Sequence, residues 1–256
     1  MKKLLAAALG LASAICVLPF AACNQDGGQG TTVTEDKWKT AFSYFMVEWN
    51  EETYYPILSD NPRENFSCKM NLSYFDGTDS QASELIVSSD YDKWVSGIEF
   101  VNNGANEPAA YYGWKDGDVY YNIGGGWRVD GETGEKINYY TKSTISEEQF
   151  KMGFDSVIYS YAGGDHIRAL NLADKFEKFT YSEEKEEYVA TIRYESYATD
   201  ATVTVKFKDG MIEYMAVDIS GTQYGDYVYA YTYTYGISVT VPEYYLNLQL
   251  GENIIN

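Results

Sequence analysis

Two hydrophobic periods alternate along the chain. Between Thr34 and Trp49 the apolar residues Trp38, Ala41, Phe42, Phe45 and Trp49 fall at the i, i+3, i+4, i+7 spacing that gathers them on one side of a helix. Thr34 supplies an N-cap, and Glu35 and Asp36 place negative charge in the first turn, where the helix dipole favours it. A second start at Ser146 is followed by Glu147 and Glu148, with Phe150, Phe154, Val157 and Ile158 on one face. The stretches VTEDKWKTAFS (33–43) and ISEEQFKMGFD (145–155) share cap, acids, aromatic, lysine and phenylalanine at an offset of 112 residues. Glu64-Asn65-Phe66-Ser67 and Glu177-Lys178-Phe179-Thr180 match at an offset of 113, so a duplicated unit is one reading and shared capping chemistry the other.

Elsewhere the period is two. Tyr, Val, Thr, Ile and Phe alternate with polar residues in runs cut at Asp76-Gly77, Asp116-Gly117-Asp118, Gly124-Gly125-Gly126, Asp130-Gly131 and Asp209-Gly210, the residue types that tight hairpins need. The pattern predicts strands near 65–75, 83–89, 94–101, 109–115, 118–123, 127–129, 136–142, 187–195, 200–208, 211–220, 226–235 and 237–241, with Pro242 closing the last. Short turns between consecutive strands imply antiparallel pairing. The expected class is α+β, mostly β: a large curved antiparallel sheet wrapping one or two amphipathic helices. A two-sheet sandwich with peripheral helices is the alternative.

Composition narrows the chemistry. The 256 residues carry 19 Lys+Arg against 38 Asp+Glu, a formal charge of −19, which repels nucleic-acid backbones and anionic surfaces. One histidine, His166, leaves no His-rich metal cage and only one route to a Ser-His-Asp or Cys-His device. It sits in Ala162-Gly163-Gly164-Asp165-His166, which reads as a surface loop, without a G-x-S-x-G companion. No enzyme activity, catalytic residue, metal or cofactor is expected. The acidic turns at Asp76–Asp79, Asp116–Asp118 and Asp130–Glu135 lack EF-hand spacing and read as soluble hairpins, and Glu183 to Glu187 as a charged turn.

The N-terminus carries an address. Lys2 and Lys3 precede an apolar run from Leu4 to Phe20 that is too short for a spanning helix and fits a signal peptide. It ends Phe20-Ala21-Ala22-Cys23, which resembles the bacterial lipobox, with Phe20 where leucine is usual; Ile15 before Cys16 fits that pattern poorly. The resemblance implies cleavage after residue 22, acylation of Cys23 and attachment to the bacterial membrane on its extracytoplasmic side. Two acyl chains suffice for stable anchoring. Residues 23–33 then form a lipidated cysteine and Gly/Gln-rich tether, and residues 34–256 a single β-rich domain. Cys68 is the one cysteine left to that domain, so no internal disulfide is available.

The lipobox, the helix start T-E-x-x-W-x-x-A-F, the strand meander and the closing Tyr235-Gly-Ile-Ser-Val-Thr-Val-Pro-Glu243 together resemble bacterial lipoproteins of the LolA-like, LppX-type half-barrel family, over residues 34–245. That resemblance implies a bent sheet enclosing helices, with a concave apolar side able to hold an acyl chain. Trp38, Phe42 and Phe45 would line one wall. The other wall would be Tyr227, Tyr229, Tyr231 and Tyr233, part of a five-tyrosine ladder ending at Tyr235, whose strict alternation puts all five rings on one sheet face. The same ladder also reads as the amphipathic inner face of a sheet packed on a helix, or as a platform for a surface glycan. The expected protein is a non-enzymatic, monomeric, membrane-anchored lipoprotein that binds a lipid or other amphiphile, with a glycan-binding or structural envelope role as the alternative.

Overall fold

The computed structural model describes residues 32–46, 49–50, 55–56, 65–101 and 110–255. The expected signal peptide, Cys23, the expected tether up to residue 31 and the side chains of Trp49, Phe154, Val157 and Ile158 lie outside the described positions. The first half of the domain opens with α1 (Glu35–Ser43) and a ribbon of β1 (Trp49–Asn50) and β2 (Tyr55–Pro56). A meander follows: β3 (Phe66–Phe75), β4 (Ser80–Asp90), β5 (Val95–Phe100), β6 (Ala110–Asp116), β7 (Val119–Val129) and β8 (Lys136–Ile145). The second half has α2 (Glu147–Tyr161), the short α3 (Gly164–Ala169), then β9 (Thr180–Ser182), β10 (Glu187–Tyr194), β11 (Thr199–Lys208), β12 (Met211–Thr222) and β13 (Gly225–Tyr235). The chain ends in α4 (Glu243–Leu246) and β14 (Gly251–Ile255).

Twelve of these strands form one antiparallel sheet in the order β14-β8-β7-β6-β5-β4-β3-β13-β12-β11-β10-β9, not closed into a barrel. This is the mostly-β half-barrel; the two-sheet sandwich is not formed. The two meanders are fused where β13 pairs with β3 over ten residues, from Tyr235 opposite Phe66 to Asp226 opposite Phe75. The two helices with matching starts each lead a meander and cover the other one. Trp38 of α1 lies against Tyr188 of β10 and Phe207 of β11, while Phe150 of α2 lies against Tyr120 of β7. Both starts are capped as their sequences require: the Lys37 N–H donates to Thr34, and Ser146 and Gln149 exchange the two bonds of a capping box.

Two departures from the sequence pattern have physical causes. The triplet Gly124-Gly125-Gly126 does not turn: it runs inside β7, joining the two strands expected at 118–123 and 127–129. Gly124 is opposite Tyr111 and Gly126 opposite Tyr139, and a Cβ on either glycine would come within 2.9 Å of the facing ring, so glycine makes room for tyrosine. The run 237–241 is not a strand. After Gly236, at φ +67°, the chain leaves the sheet and crosses its outer face, where the Val239 N–H donates to Asp90 at 3.0 Å instead of to a strand. Ile237, Val239 and Val241 bury their side chains there with Trp114, Ile123 and Tyr140.

Candidate functional site

The three longer helices share the inner face of the sheet and fill it unequally. Under α1 the side chains interlock. Trp38 and Phe42 are fully buried and 4.7 Å apart between ring centroids, Phe45 stacks at 4.6 Å on Tyr233, and the Trp38 indole donates to the Leu172 carbonyl at 2.8 Å. The tyrosine ladder points into this side. Tyr231 and Tyr233 are buried, Tyr227 and Tyr229 half-buried, and the Tyr233 hydroxyl donates to the Ala162 carbonyl at 2.9 Å. Burial holds the hydroxyls of Tyr231 and Tyr233 far above the ordinary phenol range. Packing is tight enough that a Cβ on Gly163 would lie 2.6 Å from Met215 and 3.1 Å from the Tyr233 hydroxyl. All seven residues named from the sequence as groove lining therefore belong to one buried cluster; Phe45, just past the end of α1, touches the ladder at Tyr233, while Trp38 and Phe42 pack on Phe207. At its end, Tyr233 and Tyr235 border a recess of about 490 Å³ edged by Lys208, Asp209 and Glu213.

Under α2 the same face stays open. A cleft of about 170 Å³ runs between the helix and β5–β7, walled by Ile98, Tyr111, Ile145 and Phe150 and floored by Gly113. Its shape follows from residue size. The cross-strand row Ser96, Gly113, Asn122, Ser143 is made of small side chains where the tyrosine half has rings. Phe150 fills part of the gap, 3.2 Å from where a Gly113 Cβ would stand; Gly153 on α2 meets nothing within 4 Å and leaves the rest. The sequence signal for this site was glycine inside strand-patterned runs, a mark of close approach and not only of turns.

The other chemistry-bearing residues are engaged elsewhere. His166 is buried in α3, not on a surface loop, because Gly163 at φ +83° lets the chain start that helix against the ladder. Its ring lies 4.3 Å from that of Tyr229, and Nδ1 is 3.0 Å from the Tyr194 hydroxyl. Burial lowers the His166 pKa and raises that of Asp165. The carboxylates of Asp76 and Asp130 accept hydrogen bonds from their own loops, Asp76 from Thr78 and Asp79, and Asp130 from Glu132 and Thr133. Those bonds draw the Asp76 pKa down to about 2 and lower that of Asp130. Both aspartates act as turn-builders.

No protein-family model matches the chain, and no curated protein matches it significantly. Among solved structures it is similar to a LolA superfamily protein from Nitrosomonas europaea, at 9% identity over 80% of this chain and 92% of that one, with a TM-score of 0.24. A structure described as an outer membrane lipoprotein-sorting protein domain, from Vibrio parahaemolyticus, shares 6% identity over 84% and 97% of the two chains at TM-score 0.24. A DUF1329 family protein from Desulfovibrio piger shares 7% over 82% and 96% at TM-score 0.25. The first carries the superfamily name that the sequence resemblance suggests. At these scores the architecture rests on this chain's own strand order and register.

Proposed function

We propose that the chain is a membrane-anchored bacterial lipoprotein, acylated at Cys23 on the extracytoplasmic side, whose monomeric domain binds an amphiphile without catalysing a reaction. The observation that carries the binding reading is the cleft under α2, apolar on its walls and open on a face that is tightly packed beneath α1. An alkyl segment would lie on Gly113 between Phe150 and Ile98. Trp38, Phe42, Phe45 and the ladder tyrosines would be the rigid wall that keeps the sheet in shape beside it. Supporting the non-enzymatic reading, His166, the only histidine, is enclosed by Tyr194, Tyr229 and Tyr231.

Native mass spectrometry of the purified full-length protein, with parallel lipid extraction, tests the reading. The expected result is a co-purifying amphiphile near one per chain. A ligand that binds only the folded state at 100 times its Kd should also add about 2.7 kcal/mol of stability. An empty protein with no thermal shift on adding fatty acids, lysolipids or diacyl lipids would favour a purely structural envelope role. Mass spectrometry of the N-terminus tests the anchor, which an unmodified Cys23 would refute.

A further inference from the structure

Beside the cleft, and sharing Tyr111 with it, we infer that the inner face of β6–β8 carries a second site, which binds an uncharged carbohydrate chain on Tyr111 and Tyr139. The two rings come from strands on either side of β7 and meet over it, Tyr111 against Gly124 and Tyr139 against Gly126. These glycines are two residues apart on one face, which sets the ring positions about 7 Å apart. Without side chains beneath them the rings settle on the backbone. Tyr111 remains 43% exposed there, although its body is apolar. Each ring is thus backed by a strand, Tyr111 exposed and Tyr139 half-buried beside it, an arrangement that a sugar ring can use: its C–H face stacks on an aromatic while its hydroxyls point outward.

The rim supplies what those hydroxyls need. Asn122 and Thr141 flank the Tyr111–Gly124 pair on the same face, and both are exposed. The Arg128 guanidinium stands 5.5 Å from the centre of the Tyr139 ring and is paired with Glu252 of β14. That pair lowers the Glu252 pKa and raises that of Arg128, so both stay charged and offer donors and acceptors together. Charge selects the ligand. Among the described residues the one cation at the platform, Arg128, is matched by a carboxylate, and the chain carries −19, so an anionic polysaccharide meets a repulsive surround. An alkyl chain would press against the Arg128–Glu252 ion pair and the Thr141 hydroxyl, displacing their water.

The test is titration of the membrane-extracted protein, in a sugar-free zwitterionic detergent, with neutral hexasaccharides of glucose, xylose, mannose and N-acetylglucosamine and with polygalacturonate. At least one neutral oligosaccharide should bind at millimolar concentration or below. Tyr111→Ala and Tyr139→Ala should each weaken that binding about tenfold, and Tyr111→Trp should restore it. Trp127→Ala removes an equally exposed aromatic from the opposite face and should change nothing, which separates ring stacking from general loss of surface aromatics. Unchanged thermal midpoints would show that the variants fold. The inference is overturned if no neutral oligosaccharide binds, if only polygalacturonate does, or if the tyrosine variants bind as the wild type. Tyr111 also walls the cleft, so the two readings separate at Tyr139, which lies outside it: Tyr139→Ala should weaken oligosaccharide binding and leave amphiphile binding unchanged.

Discussion

The two halves of the inner face are built from the same parts, a capped amphipathic helix laid on an antiparallel meander, yet one is tightly packed beneath its helix and the other holds a cleft there. Residue size decides between them. Under α1 and α3 the sheet presents Tyr229, Tyr231, Tyr233 and Met215, and the helices answer with Trp38, Phe42, Phe45 and His166. Under α2 it presents Ser96, Gly113 and Asn122, and among the described side chains Phe150 covers only part of that space. A fold that repeats a motif can thus keep one copy for stability and leave the other free to bind.

The contrast is sharpest in the cost of removing a helix anchor. Phe42→Ala should cost about 4–5 kcal/mol in urea unfolding, because every neighbour of the ring is fixed, whereas Phe150→Ala should cost about 3 kcal/mol or less because its site borders an existing void. Equal losses would erase the distinction. The tyrosine-bearing glycines form the next pair. Gly97→Ala puts a Cβ 2.5 Å from the buried ring of Tyr112, which packs on Tyr245, and should destabilise by about 1–3 kcal/mol. Gly124→Ala meets Tyr111, which can swing into solvent, and should cost less than about 1 kcal/mol.

Acid should affect the tightly packed half first. His166 has a folded pKa below its unfolded value near 6.5, so the stability it contributes is complete above that value. As pH falls below about 6.5 the unfolded chain takes up the proton first, and stability drops by at most about 1.4 kcal/mol per pH unit. Asp165 has the opposite sign: its folded pKa is raised, so acidification favours the folded state. His166→Gln should therefore convert a loss of stability between pH 7 and 5 into a flat or rising profile in pH-dependent thermal melts. The smallest effect on stability belongs to the half with the cleft. Gly153→Phe has open space before it and replaces a helical glycine, so the fold should be unchanged or gain up to about 1 kcal/mol while amphiphile binding is lost. Retained binding in that variant would place the ligand elsewhere.

Much of this was legible in the chain. Caps located the starts of α1 and α2 within a residue, and alternation located nearly every long strand, because both signals are local; the apolar spacing overran the end of α1, which stops at Ser43, while Trp49 pairs in β1. The turn at Asp76-Gly77 and the charged one at Glu183–Glu187 were equally plain. What the sequence concealed depends on a partner far away. The Gly124–Gly126 triplet looks like a turn until Tyr111 and Tyr139 are known to face it, and Ile237–Val241 looks like a strand until Asp90 takes its amide. The burial of His166 was hidden for the same reason: two glycines beside an aspartate read as a loop, and only the ladder 60 residues on shows what that loop is pressed against. The cleft itself is a matter of small residues lining up across four strands, which no single stretch of sequence displays.

The crossing tail has a consequence for how such a chain is made. Lys142, nearly buried against Trp114 and Tyr121, donates to the carbonyls of Leu246 at 2.7 Å and Leu248 at 3.0 Å, and β14 then pairs along β8. Strand β8 ends more than a hundred residues before its neighbour begins. A chain that emerges from a ribosome or an export channel N-terminus first must therefore hold an unpaired edge and an uncovered aromatic surface until its last segment arrives. Clipping the final twenty residues would return the finished protein to that state, with β8 free to recruit a strand from another molecule.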